Sequence, residues 1–177
     1  TDPSGVTYQL QIDNSSDFNT PVLSKSGLSA STYTLSDAEA LADGVYYWRV
    51  KAVDGAGNEG SWSWYWDFRI DTNPPGTPSL VSPAYGAASN DNTPTLCWYD
   101  ISDPSGVSYN LQIDDSPDFS SLVLSKASLT SLSYTLDDAE ALMEGVYYWR
   151  VRAVDGAGNP SNWIAAWSLV IDTTAPS

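Results

Sequence analysis

Carboxylates are the reactive groups this sequence offers in quantity: 22 Asp plus Glu stand against 7 Lys plus Arg, with no histidine and one cysteine, Cys97. Without an imidazole the chain lacks the usual general base, the commonest zinc ligand and every His-dependent triad. Cys97 has no such base to activate it, and its place in an alternating strand pattern reads as a structural thiol. Asp54-Gly55-Ala56-Gly57-Asn58 is glycine-rich but carries no GK[ST] signature, so its glycines serve a turn. Two carboxylates about 5–10 Å apart could hydrolyse a glycoside. Most of the acids fall in turn sequences, however, and nothing marks out a pair. The chain is therefore expected to be non-catalytic and to carry no catalytic cofactor.

Two kinds of binding chemistry remain. Clustered carboxylates either stay hydrated or take up a hard cation. Asp71 before a Pro-rich stretch, Asp103 in a DPSG turn and Asp155 in a DGAGN turn would converge if two domains stacked end to end, with Asn159 completing an oxygen shell. Calcium at that junction is the candidate ligand, although no stretch matches the D-x-[DN]-x-[DN]-G loop and simple solvation competes with it. The second chemistry is stacking on sugar rings. The chain has 8 Trp and 11 Tyr against 3 Phe, and Tyr47, Trp62 and Tyr148 fall on outward positions where they could bind glycans or a protein.

An internal repeat defines the elements that position these residues. DPSGVTYQLQID ending at Asp13 recurs as DPSGVSYNLQID ending at Asp114, an offset of 101 residues. The same offset relates Tyr33-Thr34-Leu35 to Tyr134-Thr135-Leu136, GVYYWRV at Gly44 to its copy at Gly145, and DGAGN at Asp54 to its copy at Asp155. A duplicated unit of that length suits a small sandwich, not a helical solenoid. Period-two alternation in the second copy predicts seven strands, near 78–82, 95–100, 107–114, 122–125, 131–136, 146–155 and 167–172. Tyr147, Trp149, Val151 and Ala153 should face inward, with Tyr148, Arg150, Arg152 and Val154 outward. Trp98 and Trp167 join that core, and Tyr46, Trp48 and Trp66 are the expected core of the first copy. Ser36 followed by Glu39 has capping-box spacing and predicts a short helical turn.

Counting back by 101 from 95–100 passes Thr1, so the first copy is expected to hold five strands and to lack its two N-terminal ones, leaving an aromatic face open. The expected organisation is an incomplete repeat at 1–72, a Pro-rich linker at 73–77, a complete repeat at 78–173 and the start of another linker at 174–177. The chain then reads as an excerpt from a longer array.

YYWRVRAVDGAGN at Tyr147 to Asn159, with Trp98 two residues after Leu96, resembles the sixth strand and second strand of fibronectin type III domains. The linkers DTNPP and DTTAP, and NDNTPTLCW from Asn90, are similar to fibronectin-III-like and bacterial or archaeal Ig-like repeats of large prokaryotic surface proteins. The resemblance implies tandem all-β antiparallel sandwiches, with Tyr46 and Tyr147 able to serve as tyrosine corners. It also implies an extracellular or cell-surface spacer or adhesive segment whose partners are neighbouring repeats. The alternatives are a carbohydrate- or protein-binding module, or an accessory domain of an extracellular glycan-active enzyme.

Charge narrows the partners further. A net charge of −15 repels nucleic acid and anionic lipid surfaces. No apolar run approaches the roughly 20 residues that cross a bilayer, so no membrane contact is expected within the segment.

Overall fold

The computed structural model describes residues 5–176; the start of the repeat expected at 1–72 and the end of the linker expected at 174–177 lie outside the described residues. The chain divides into two compact units between Thr72 and Asn73.

The first unit contains β1 (Val6–Asp13), β2 (Leu23–Leu28), β3 (Gly44–Asp54) and β4 (Trp66–Ile70). They form one antiparallel sheet in the order β2-β1-β3-β4. The second unit contains β5 (Leu80–Ser82), β6 (Ala87–Ser89), β7 (Thr95–Trp98), β8 (Val107–Asp114), β9 (Leu124–Leu129), β10 (Ser133–Thr135), β11 (Gly145–Asp155) and β12 (Trp167–Ile171). Its strands build two sheets, β6-β12-β11-β8-β9 and β10-β7-β5.

Alternation along β8 and β11 makes the second sandwich. Tyr109, Leu111 and Ile113 of β8 and Tyr147, Trp149, Val151 and Ala153 of β11 are buried, while the residues between those on β11 are half-exposed. Leu80, Leu96 and Trp98 bring the three-stranded sheet down onto them, and Trp167 packs at the margin, edge-on to Trp149 with centroids 6.3 Å apart. Cys97 lies half-buried on β7.

Three strand expectations change. An eighth strand, β6, pairs parallel with β12; three small residues, Ala87-Ala88-Ser89, show no alternation from which to read it. The strand expected at 122–125 begins at Leu124 and runs to Leu129, because a bulge between Leu111 and Tyr109 lets the pairing resume. Ser128 supplies the left-handed backbone at that bulge (φ 57°), as Gly27 does at the same point in the first unit (φ 69°).

The third change is in the first unit, which has four strands among the described residues, not five. Residues 32–34 stand at the β10 positions of the repeat but belong to no strand. β10 exists because it hydrogen-bonds to β7, with Tyr134 opposite Leu96, and the described residues of the first unit include no equivalent of β7. The expected core suffers accordingly. Tyr46 is buried and its hydroxyl donates to the Ala42 carbonyl at 3.1 Å, but Trp48 is 37% exposed and Trp66 is 69% exposed. Neither tryptophan is a core residue here, since among the described residues of the first unit no opposing sheet covers the face that carries them.

Single 3-10 turns at Asp37–Glu39 and Asp138–Glu140 tie the loop after residues 33–35 or β10 to the neighbouring strand. In the second unit the Asp137 side chain accepts from the amides of Ala139 (2.9 Å) and Glu140 (3.1 Å). Glu140 accepts from the Tyr134 hydroxyl and pairs with Lys126 of β9. Glu39 repeats this with Tyr33, the Ser36 amide and Lys25. The Lys25 ammonium, the Ser36 amide and the Tyr33 hydroxyl together hold the Glu39 carboxyl down at about 2. Glu140 is lowered chiefly by Lys126, and both lysines are raised above their usual value by these glutamates.

Two outcomes follow. Trp149→Ala should destabilise the second unit by about 3–5 kcal/mol in chemical denaturation, as deletion of a buried aromatic does. Trp48→Ala, at the same register, should cost clearly less because its ring is already partly in water. In acid, the depressed glutamates contribute stability that is present above their usual 4.5 and is lost as pH falls towards 2. The raised lysines contribute below their usual 10.5, so the tie is intact between those limits. Glu140→Gln should lower the unfolding midpoint at pH 7 and flatten its decline below pH 4.5.

Candidate functional site

The outward residues of β3 and β11 are Tyr-Arg-Lys and Tyr-Arg-Arg at alternate positions, and their neighbours decide what they can do. Arg49 stands opposite Gln11 in the β1–β3 register and donates to its Oε1 from Nε (3.0 Å) and Nη2 (2.7 Å). Its guanidinium lies between two rings, 4.1 Å from the centroid of Phe18 and 4.6 Å from that of Trp62. Lys51 stands over the same Trp62 ring at 4.8 Å and pairs with Glu59 at 2.5 Å. The second unit repeats the ladder: Arg150 bonds Gln112 and lies 3.8 Å from Phe119 and 4.7 Å from Trp163, which Arg152 also covers at 4.7 Å. Burial and the like charge of Arg152 lower the Arg150 pKa, and the buried carboxylate of Asp114 acts in the opposite sense.

Trp62 therefore does not present an open stacking platform, because its ring, in the loop after β3, is engaged by two cations of β3. Tyr47 meets Tyr65 edge-on at 5.4 Å, and Tyr148 is half-buried beside β12. The partners that close the ladder, Phe18 and Phe119, were not legible as such. Both sit in left-handed backbone (φ 53° and 55°) inside turn sequences, and only their recurrence at the 101-residue offset pointed to a shared role.

The acidic turns are also explained by their own units. In the second unit, carboxylate oxygens of Asp103 and Asp155 lie within 4.8 Å of each other. Asp103 accepts from the amide and hydroxyl of Ser105 (2.9 and 2.8 Å). Asp155 accepts from the amides of Ala157 (2.9 Å) and Asn159 (2.7 Å) and from the Asn159 side-chain nitrogen (2.8 Å). Burial works against its charge, but these donors win and its pKa is lowered. The two turns are stitched by the Gly156 amide, which donates to Gly106 O (3.0 Å) and Ser105 Oγ (3.1 Å). A β-carbon at Gly156 would stand 2.0 Å from the Ser105 carbonyl oxygen, so this approach requires glycine. These bonds hold the two carboxylates in place within the second unit. Asp71 follows β4 in the first unit and is half-buried.

The first unit also carries an apolar groove over one face of its sheet. It measures about 530 Å³, runs over Tyr8, Leu10, Trp48 and Phe68 and is flanked by Leu28 and Tyr33. Its lining holds no carboxylate, lysine or arginine, so it offers apolar contact and ring faces, not acid–base chemistry. Trp64 (87% exposed) and Trp66 (69%) add apolar surface on the same unit.

No family model and no curated protein matches the sequence. Among solved structures, the fibronectin(III)-like modules of CbhA from Clostridium thermocellum superpose with a TM-score of 0.51 at 16% identity, over 97% of this chain and 80% of that one. The FN1–FN3 domains of chicken CNTN1 give a TM-score of 0.49 at 16% identity over 95% of this chain; the match spans 57% of their length, less than two thirds. The fold is fibronectin-III-like, all-β sandwich.

The ladder and the stitched turns generate two expectations. Arg150→Lys keeps the charge but loses the planar fork that bonds Gln112 and stacks between Phe119 and Trp163, and should cost about 1–3 kcal/mol of unfolding free energy. Gly156→Ala should destabilise by about 1–3 kcal/mol, the range for forced overpacking, because backbone must move to admit the methyl group. Denaturant unfolding of each variant checks both.

Proposed function

We propose that the chain is a non-catalytic structural segment of an extracellular or cell-surface repeat protein, acting as spacer and adhesive scaffold. The observation that carries this reading is the duplicated outer face. In both units the Arg ladder closes on its own Gln, Phe and Trp, so the side chains best suited to grip a ligand stiffen the sheet that carries them. The net charge of −15 keeps neighbouring chains apart in solution, and the partners in this reading are neighbouring repeats of the same kind. The second reading, a carbohydrate-binding module or accessory domain, is favoured by one observation: Trp64 and Trp66 are exposed on the first unit. It moves the ring platform away from Trp62.

A glycan array probed with the 177-residue chain separates the two. The spacer reading expects no saturable binding. It also expects single-molecule pulling to unfold the second unit in one event, at a force that Arg150→Ala lowers. Glycan binding that Trp64→Ala abolishes at an unchanged unfolding midpoint overturns it in favour of the module. The calcium proposed for the acidic turns is tested separately. A chelator-sensitive midpoint that Asp155→Asn removes supports it, and a midpoint indifferent to calcium at fixed ionic strength rejects it.

A further inference from the structure

The two units differ at one cation of the outer face. Lys51 and Arg152 are counterparts at the 101-residue offset, and each lies over the tryptophan of its own unit, 4.8 Å from Trp62 and 4.7 Å from Trp163. Lys51 is neutralised in place. Glu59 pairs with its ammonium at 2.5 Å and also accepts, at 3.1 Å, from Nε2 of Gln9, which stands opposite Lys51 in the β1–β3 register. In the second unit that carboxylate is gone. Pro160 stands at the Glu59 position and makes the same backbone bridge, to Val154 as Glu59 does to Val53. Asn110 stands at the Gln9 position, opposite Arg152, and its Oδ1 accepts from the Ser128 amide. Among the described residues Arg152 has no ion pair, and its Nε is enclosed without an acceptor. Arg150, which shares the Trp163 ring, already holds the Gln112 side-chain carbonyl and brings a second positive charge beside it.

We propose that Arg152 is a docking point for an acidic side chain, Asp or Glu, of a partner polypeptide, which stands to Arg152 as Glu59 stands to Lys51. Three observations select this ligand. The exchange of Lys for Arg puts a planar fork, suited to a carboxylate, at the position where the unit's own carboxylate is missing. A half-buried guanidinium with an enclosed, unmatched Nε is costly, and an anion at its remaining donors offsets that cost more than it would for a cation in open water. The counterpart position takes a glutamate carried on a polypeptide loop, whereas the Trp163 ring is already engaged by two guanidiniums and is no free platform for a sugar. The inference does not rest on the spacer reading, since a spacer and a binding module would each accommodate such a contact.

The test titrates the intact, isotope-labelled chain at fixed ionic strength with an end-blocked peptide of three glutamates, following the Arg152 Nε–H and Trp163 indole N–H resonances. A saturable shift of both is expected, without a matching shift of the Arg49 Nε–H, which Gln11 already holds. Arg152→Gln should abolish the saturable Trp163 shift. Pro160→Glu restores the acid that the first unit carries on the same backbone bridge, so the fold admits it, and by occupying the guanidinium it should weaken the peptide about tenfold or more. Pro160→Gln, which loses the ring without adding charge, should bind as the unchanged chain does. Absence of a saturable shift, equal binding of a three-glutamine peptide, or undiminished binding by Pro160→Glu overturns the proposal. A glucuronate trisaccharide that binds as tightly as the peptide also overturns it, in favour of an acidic glycan. The glycan-binding dependence on Trp64 is read on the other unit, so the spacer reading and this one fail separately.

Discussion

A β-sheet with one apolar face must be covered by a second layer, and that requirement organises everything else in this molecule. Where three short strands supply the layer, the face becomes a sandwich core in which Leu111, Val151 and Ala153 have no exposed surface. Where the layer is absent among the described residues, the same strands still assemble in the same order, β2-β1-β3-β4 matching β9-β8-β11-β12. The opposing layer decides which aromatics count as core.

The outer face carries an interaction that burial alone would not favour. A guanidinium removed from water is costly unless its donors and its charge find partners. Arg49 and Arg150 each find the side-chain carbonyl of a Gln on the neighbouring strand and two aromatic rings. The ladder clamps the loops that carry Phe18 or Phe119 and Trp62 or Trp163 onto the longest strand of each unit. It also explains much of the excess of aromatics without invoking a ligand for them.

Acidic residues follow the same logic of local satisfaction. Asp103, Asp155, Glu39 and Glu140 each accept several donors from turns or from a lysine on the neighbouring strand. Net negative charge is thereby distributed over turns whose carboxylates are held by local donors.

The sequence alone determined the duplication, its 101-residue register, the all-β class and the inward or outward parity of β8 and β11, because period-two alternation is a property of neighbouring residues. It also determined the capping turn at Glu39, whose spacing is local. It could not reveal β6, whose three small residues acquire strand character only by lying beside β12. Nor could it reveal that Tyr33-Thr34-Leu35 and Tyr134-Thr135-Leu136, identical in sequence, differ in state, since the latter overlaps β10 through its pairing with β7. Trp62 was legible as an outward ring, but the cations upon it come from strand neighbours that no linear spacing announces. Local pattern sets which side of a strand a residue faces; what lies against that side is a matter of tertiary structure, because burial and strand pairing are completed by residues distant in the chain.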